Sequence, residues 1–158
     1  MKYLALALLP VAALAALNLE GKFAYSHTIV FRNYDNEKSC KDDNGTWQDG
    51  LCTFEADDTV EVKKAGDEYT VSVGTVTTNG HECTFDGKGR ATGANVIEAL
   101  AASERYENGK FVPATCKLDV RYGADGSTAS VKVISPWADC QEFCGANAML
   151  DIPNAKRQ

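Results

Sequence analysis

The chain has 158 residues, 44% of them hydrophobic and 24% charged, with 13 Gly, 4 Pro and 6 Cys. This composition fits one globular domain and excludes a collagen, a coiled coil or a disordered tail. A formal net charge of −6 argues against nucleic acid as a partner, because phosphate binding needs a basic face.

The first predicted element is a signal peptide over residues 1–15. Met1-Lys2-Tyr3 is a positively charged start, and Leu4 to Leu17 is uncharged and nearly all apolar, with a helix breaker at Pro10. This run is shorter than the roughly twenty residues that a spanning helix needs, so a cleaved signal is favoured over an uncleaved anchor. Ala13-Leu14-Ala15 has the small-x-small form of a cleavage site and places the cut before Ala16. The mature chain, 16–158, then loses Lys2 and carries a charge of −7. It is expected to be periplasmic or secreted, as a single disulfide-stapled β domain with no stable membrane insertion after cleavage.

The mature chain reads mainly with period two. Phe23, Tyr25, His27, Ile29 and Phe31 alternate with Ala24, Ser26, Thr28, Val30 and Arg32, the pattern of a strand with one apolar face. His27 on that face invites a catalytic or pH-sensing role. No Ser or Cys lies at nucleophile spacing, so a hydrogen-bonded core or rim histidine is the favoured reading.

Cys40 and Cys52 then flank a polar stretch with two Gly, read as a turn-rich surface loop closed by a Cys40–Cys52 bridge. Closing so short a loop stabilises by about 3 kcal/mol on the chain-entropy model. Asp42, Asp43 and Asn44 in this loop, with Asp57 and Asp58 beyond it, lack the alternating ligands and closing Glu of a calcium loop. They read as solvated charge, or as an electrostatic landing surface for a cationic partner. Trp47 lies in the same loop and reads as packing over its disulfide, with a role as partner anchor second.

Further period-two segments run through Val60 and Val62, Tyr69 to Val73, His81 to Phe85, Cys116 to Tyr122, and Val131 to Val133. Ala65-Gly66-Asp67-Glu68, Asn79-Gly80, Asn108-Gly109 between Tyr106 and Phe111, and Asp125-Gly126 supply hairpin turns. His81, just after Asn79-Gly80, reads as a solvated residue at a hairpin mouth. Between Ala94 and Glu104 the period changes: Val96, Ile97, Leu100 and Ala101, with Ala99 and Ala102 between, predict a short amphipathic helix capped by Asn95 or Thr92. The expected fold is all-β, an antiparallel meander forming a small closed or nearly closed barrel with one short helix near 94–104. A two-sheet sandwich is the alternative. The expected inward set is Phe23, Tyr25, Ile29, Val60, Val62, Tyr69, Val71, Val73, Phe85, Leu118, Val120, Val131 and Val133.

Trp137 follows Pro136 ahead of Cys140-Gln141-Glu142-Phe143-Cys144-Gly145. Like Trp47 it reads first as a packing residue and second as an anchor. Gly145 marks a tight reversal before a short closing strand. Export to an oxidising compartment predicts that all six cysteines pair. Cys83–Cys116 with Cys140–Cys144 is preferred, because it needs only adjacency of two strands. Its rival ties Cys83 or Cys116 to the Cys140–Cys144 corner. No CxxC pair occurs, so no metal or cofactor is expected.

Thr78-Asn79-Gly80-His81-Glu82-Cys83-Thr84-Phe85-Asp86-Gly87, Cys116-Lys117-Leu118 and Cys140 to Ala146 resemble a group of small exported bacterial proteins that carry disulfides. The Asn-Gly-Thr-Trp loop resembles short disulfide loops of bacterial secreted proteins. In size, compartment and barrel-like meander the chain is similar to periplasmic inhibitors of chicken-type lysozyme. Their usual Ser-Gly-x-x-Tyr stretch is absent, so the resemblance carries no inhibitory residue onto this chain. The exported, disulfide-stapled small β fold and the −7 charge of the mature chain point to a protein-binding module that docks a cationic protein such as a lysozyme, and so small a chain leaves little room for an enzyme's deep substrate cleft. The alternative is a structural or envelope-stress protein, binding a small ligand at the barrel mouth and having no enzyme target.

Overall fold

The computed structural model describes residues 17–144 and 148–158. The expected signal peptide, its cut before Ala16 and the reversal at Gly145 lie outside the described residues. The rest is a single antiparallel meander that closes on itself. The strands are β1 (Gly21–Phe31), β2 (Thr46–Gln48), β3 (Leu51–Ala65), β4 (Glu68–Thr77), β5 (His81–Gly93), β6 (Val96–Glu107), β7 (Lys110–Tyr122), β8 (Thr128–Val133) and β9 (Ile152–Arg157). They follow the order β1-β9-β8-β7-β6-β5-β4-β3-β2, and β1 also pairs with β3. Eight strands therefore form a ring, and β2 is appended to β3 outside it. Closure removes the open edges that make isolated sheets prone to aggregate.

Period two builds the wall. Phe23, Val60, Val62, Val71, Val73, Phe85, Leu118, Val120 and Val131 are buried inside, with Tyr25, Tyr69 and Val133 partly buried against them. Ile29 is also buried. The four expected turns are present, with Asn79, Gly80, Asn108, Gly109, Gly66 and Gly126 at positive φ. That is the conformation for which Asn and Gly are suited.

Two expectations are corrected. Residues 94–104 are not a helix. Val96–Glu107 is strand β6, paired with β7 from Val96↔Arg121 to Glu107↔Lys110. Ile97 and Ala99 face the core with no exposure, while Leu100 points outward and is 41% exposed. β7 supplies backbone partners along the whole segment and β5 along Val96–Leu100, and that outweighs the helix propensity of its alanines. Asn95 is no cap; its Nδ2 donates to the Tyr122 carbonyl at 3.0 Å. Among the described residues the one short α-helix lies elsewhere, at α1 (Glu37–Asp42), and it runs only into the start of the stretch that reads as a loop between Cys40 and Cys52. Asn36 caps it by accepting from the Ser39 N–H at 2.9 Å. Lys41–Glu37 and Lys38–Asp42 pairs brace its face.

The second correction concerns disulfides. Cys40–Cys52 forms as expected, but the other bridges are Cys83–Cys144 and Cys116–Cys140. The preferred Cys83–Cys116 with Cys140–Cys144 fails because β5 and β7 are not neighbours: β6 lies between them. Pairing of β5 with β6 runs only over Lys88–Gly93 opposite Val96–Leu100. Before Lys88 on β5 and beyond Leu100 on β6 the two strands part, and the 3-10 turns Trp137–Asp139 and Gln141–Phe143 are sewn alongside. Cys144 bridges to Cys83 on β5, Cys140 bonds Cys116 on β7, and Ser103 Oγ on β6 donates to the Asp139 carbonyl at 2.6 Å. Three disulfides point to an oxidising compartment. Among the described residues no helix is long and apolar enough to cross a membrane.

Both barrel ends are covered. At the base, where β3–β4, β5–β6 and β7–β8 turn, Arg157 donates to the carbonyls of Gly126, Glu20 and Asn18 at 2.9, 2.6 and 3.0 Å. Its guanidinium lies 4.6 Å over the Phe23 ring. Tyr122 donates its hydroxyl to the Leu19 carbonyl at 2.5 Å, which pulls Leu19 into the core. At the other end, here called the crown, Thr75 Oγ1 on β4 donates to the Met149 carbonyl at 2.6 Å. The Val133 N–H on β8 donates to Asp151 Oδ1 at 2.7 Å. β4 and β8 are four strands apart in a ring of eight, so residues 149–151 cross the crown, with Leu150 fully buried beneath.

Tyr122 makes a stability prediction. Burial pushes its phenol well above the ordinary value of 10.0, so the folded state holds the neutral form. This contribution is complete below the unfolded pKa of about 10 and is lost as pH rises above it. Urea unfolding measured from pH 9 upward is expected to show falling stability. Tyr122→Phe should flatten that fall and cost about 1–2 kcal/mol at neutral pH. An unchanged alkaline slope in Tyr122→Phe would remove Tyr122 as its cause.

Candidate functional site

Strand direction gathers the irregular elements at the crown. Two arms rise there from opposite sides of the ring. In the first, Tyr25–Phe31 of β1 pairs only with β3. This ribbon carries α1, β2 and the Cys40–Cys52 bridge. Phe31, Tyr34 and Phe54 pack within it, with the Phe31 and Phe54 ring centroids 5.0 Å apart. In the second arm, β6 beyond Leu100 and β7 before Leu118 pair only with each other, so the hairpin projects past the wall.

The residues singled out from sequence fall at the crown but do not converge on one site. His27 Nε2 lies 3.2 Å from Asp58 Oδ1, which also accepts the Val76 N–H at 2.9 Å. The β3–β4 ladder ends at Thr59↔Gly74, so Asp58 supplies the acceptor that strand β3 no longer offers Val76. Asp58 is buried and within a strand, not solvated loop charge. Tyr25 stacks on His27 at 5.5 Å. Asp57 accepts from Ser26 Oγ at 2.5 Å on the outer face. Asp42 pairs with Lys38, and Asp43 accepts the Tyr34 hydroxyl at 2.8 Å. That hydrogen bond raises the Tyr34 pKa. Trp47 stands across from Cys52 in the β2–β3 pair. His81 opens β5 half-buried, its carbonyl accepting from Thr77 Oγ1 at 3.3 Å. Trp137, 38% exposed, sits in the 3-10 turn beside β6 and β7. Among the described residues no group of three or more His, Cys, Asp or Glu is placed to hold a metal.

Sequence reasoning missed the tip of the second arm. Tyr106 and Phe111 face each other across Asn108-Gly109, 67% and 68% exposed, with ring centroids 5.3 Å apart. The available signal was two aromatics flanking an Asn-Gly turn in an otherwise polar stretch. Beside them a recess of about 330 Å³ is lined by Glu104, Arg105, Ala138, Gln141 and Glu142. Arg105 donates to Glu107 at 3.2 and 3.0 Å and to Asp139 at 3.2 Å. Asp139 and then Glu107 raise its pKa. Glu142 Oε2 accepts the Glu104 N–H at 2.6 Å.

A larger groove, about 920 Å³, lies on the outer wall where β5 and β6 part. Leu100, Ala101, Ala102 and Phe143 supply its apolar surface, and its rim charges include the Glu68–Arg90 pair at 2.6 Å.

Charge is unevenly distributed along the barrel. The crown segments, residues 32–58, 77–85, 104–117, 134–144 and 148–151, carry fourteen Asp and Glu against six Lys and Arg. The other described residues carry eight against nine. The fold and this surface define a closed eight-stranded up-and-down barrel with an acidic, two-armed crown. No protein-family model, curated protein or solved structure matches the chain.

Proposed function

We propose that the mature chain is an exported, non-enzymatic binding module, periplasmic or secreted, whose crown docks a cationic protein, most concretely a lysozyme. The observation that carries this reading is the charge polarity. A net −8 is concentrated on one end of a barrel that is otherwise near neutral. Such a field orients and accelerates encounter with a basic partner. The exposed Tyr106–Phe111 pair in the same crown has the residue types that anchor protein interfaces. The filled interior, covered at both ends, leaves recognition to the outer surface.

The test is a turbidity assay of cell-wall lysis with purified oxidised protein. Dose-dependent protection at low salt, weakening as salt rises, is the expected result. A second reading keeps the structural or envelope-stress role, with a small ligand bound. The observation favouring it is the 920 Å³ groove between β5 and β6. Absence of protection against every lysozyme type tested would leave that reading in place of the first.

A further inference from the structure

We propose that the recess beside the Tyr106–Phe111 pair is an anchor site for a single arginine or lysine side chain projecting from the partner. The inference rests on the docking reading above and narrows it to one contact.

The starting point is the exposed aromatic pair. Two large rings, each about two-thirds exposed at a hairpin tip, pack against each other. Their edge-on packing, with the ring planes at 63°, leaves faces free to meet a partner. The hairpin is braced beneath them. Arg105 ties β6 to Asp139, and the Glu104 N–H, left without a β5 partner where the strands part, is taken by Glu142. The rings and the recess are thus presented on a pre-organised support, which lowers the entropy lost on binding.

Charge selects the occupant. Glu104 and Glu142 line the recess, and neither carboxylate has an ion-pair partner among the described residues. The one guanidinium there, Arg105, is already engaged by Glu107 and Asp139. Lys110 lies across from Glu107 at the tip. An incoming guanidinium or ammonium would meet uncompensated carboxylates on one side and aromatic faces on the other, the environment that favours a cation over a neutral side chain. The acidic residues of the first arm differ: Asp42 is paired with Lys38 and Asp43 holds Tyr34. A recess of about 330 Å³ accommodates one long side chain and is small for a whole peptide.

The test uses argininamide as probe and citrullinamide as its uncharged near-isostere, each titrated into the oxidised mature chain and followed by backbone amide NMR shifts. Argininamide is expected to shift signals from Glu104 to Phe111 and from Ala138 to Glu142. Citrullinamide should bind at least tenfold more weakly. Glu142→Gln and Phe111→Ser should each weaken argininamide binding about tenfold, and Asp42→Asn on the other arm should leave it unchanged. Equal shifts with both probes, or shifts centred on residues 35–49, would overturn the site. If a lysozyme is inhibited with equal potency by wild type and Phe111→Ser, the anchor is wrong and the docking reading survives. If argininamide binds as described and no lysozyme is inhibited, the anchor stands and lysozyme is wrong as the partner.

Discussion

Replacing Cys83 and Cys144 together by serine is expected to destabilise the protein by about 4 kcal/mol, against about 3 kcal/mol for the Cys40 and Cys52 pair. The difference comes from loop length: the first bridge spans 61 residues and the second 12. On the chain-entropy model the longer loop constrains the unfolded chain more. The native contacts point the same way. Cys83–Cys144 is where the segment after Cys140 meets the free edge of β5, and the two residues form a bridge of the sheet itself. Without it the 3-10 turn Gln141–Phe143 is held to β6 mainly through Ser103 and Glu104 and to β7 through the Cys116–Cys140 bond. Urea unfolding of both double variants gives the comparison. A smaller loss for the 83/144 pair than for the 40/52 pair would show that the seam does not depend on this bridge. Mass mapping of non-reduced peptides should join 83 to 144 and 116 to 140, and a peptide joining 83 to 116 would contradict the arrangement.

Phe85→Ala carries the second large effect, a loss of about 3–5 kcal/mol. Phe85 is fully buried and meets Phe143 at a centroid distance of 5.5 Å, with the ring planes at 66°. Its ring also fills the space above Gly87, where a Cβ would lie 2.6 Å from Phe85 Cζ and 2.7 Å from the Leu100 carbonyl oxygen. Gly87→Ala is therefore expected to cost about 1–3 kcal/mol by overpacking. The carbonyl belongs to a paired strand and cannot yield as a side chain would. The two substitutions share one contact, so their effects should not add. In the Phe85→Ala background, Gly87→Ala should cost less, with the Leu100 part of the clash remaining. Additive costs in a denaturation cycle would show that the Phe85 ring does not fill that space. Because Phe143 adjoins Glu142, Phe85→Ala should also weaken argininamide binding at the crown.

Much of this architecture is legible one segment at a time. Alternation of apolar and polar residues in Phe23–Arg32, Tyr69–Val73 and Cys116–Tyr122 marks strands and names the face that turns inward. Asn79-Gly80, Asn108-Gly109, Gly66 and Gly126 mark the turns because few other residues adopt positive φ without strain. Cys40 and Cys52 are close enough in sequence for their bond to be read directly. Failure begins where local preference and tertiary demand disagree. In residues 96–101 the alanines prefer a helix, yet the ring needs a strand there, and Ile97 and Ala99 fit its interior. Asn36 and the Lys41–Glu37 and Lys38–Asp42 pairs of α1 form a readable helix start, hidden beside a loop-like stretch of polar residues and Gly.

Sequence by itself determined most of the strand-forming segments and their inward side chains, the local Cys40–Cys52 bridge and the net acidity of the chain, because each depends on composition or on neighbours a few residues away. Tertiary structure alone decided which strands are adjacent, and adjacency settled the remaining disulfides by placing β6 between Cys83 and Cys116. It also decided where the charge collects. Residues 32–58 and 134–144 are far apart along the chain, and only the alternating direction of strands around a closed ring delivers both to the same end. The recess beside Tyr106 and Phe111 exists for the same reason: Glu104 and Glu142 are 38 residues apart, brought together because β6 runs out of a partner and a later segment supplies one.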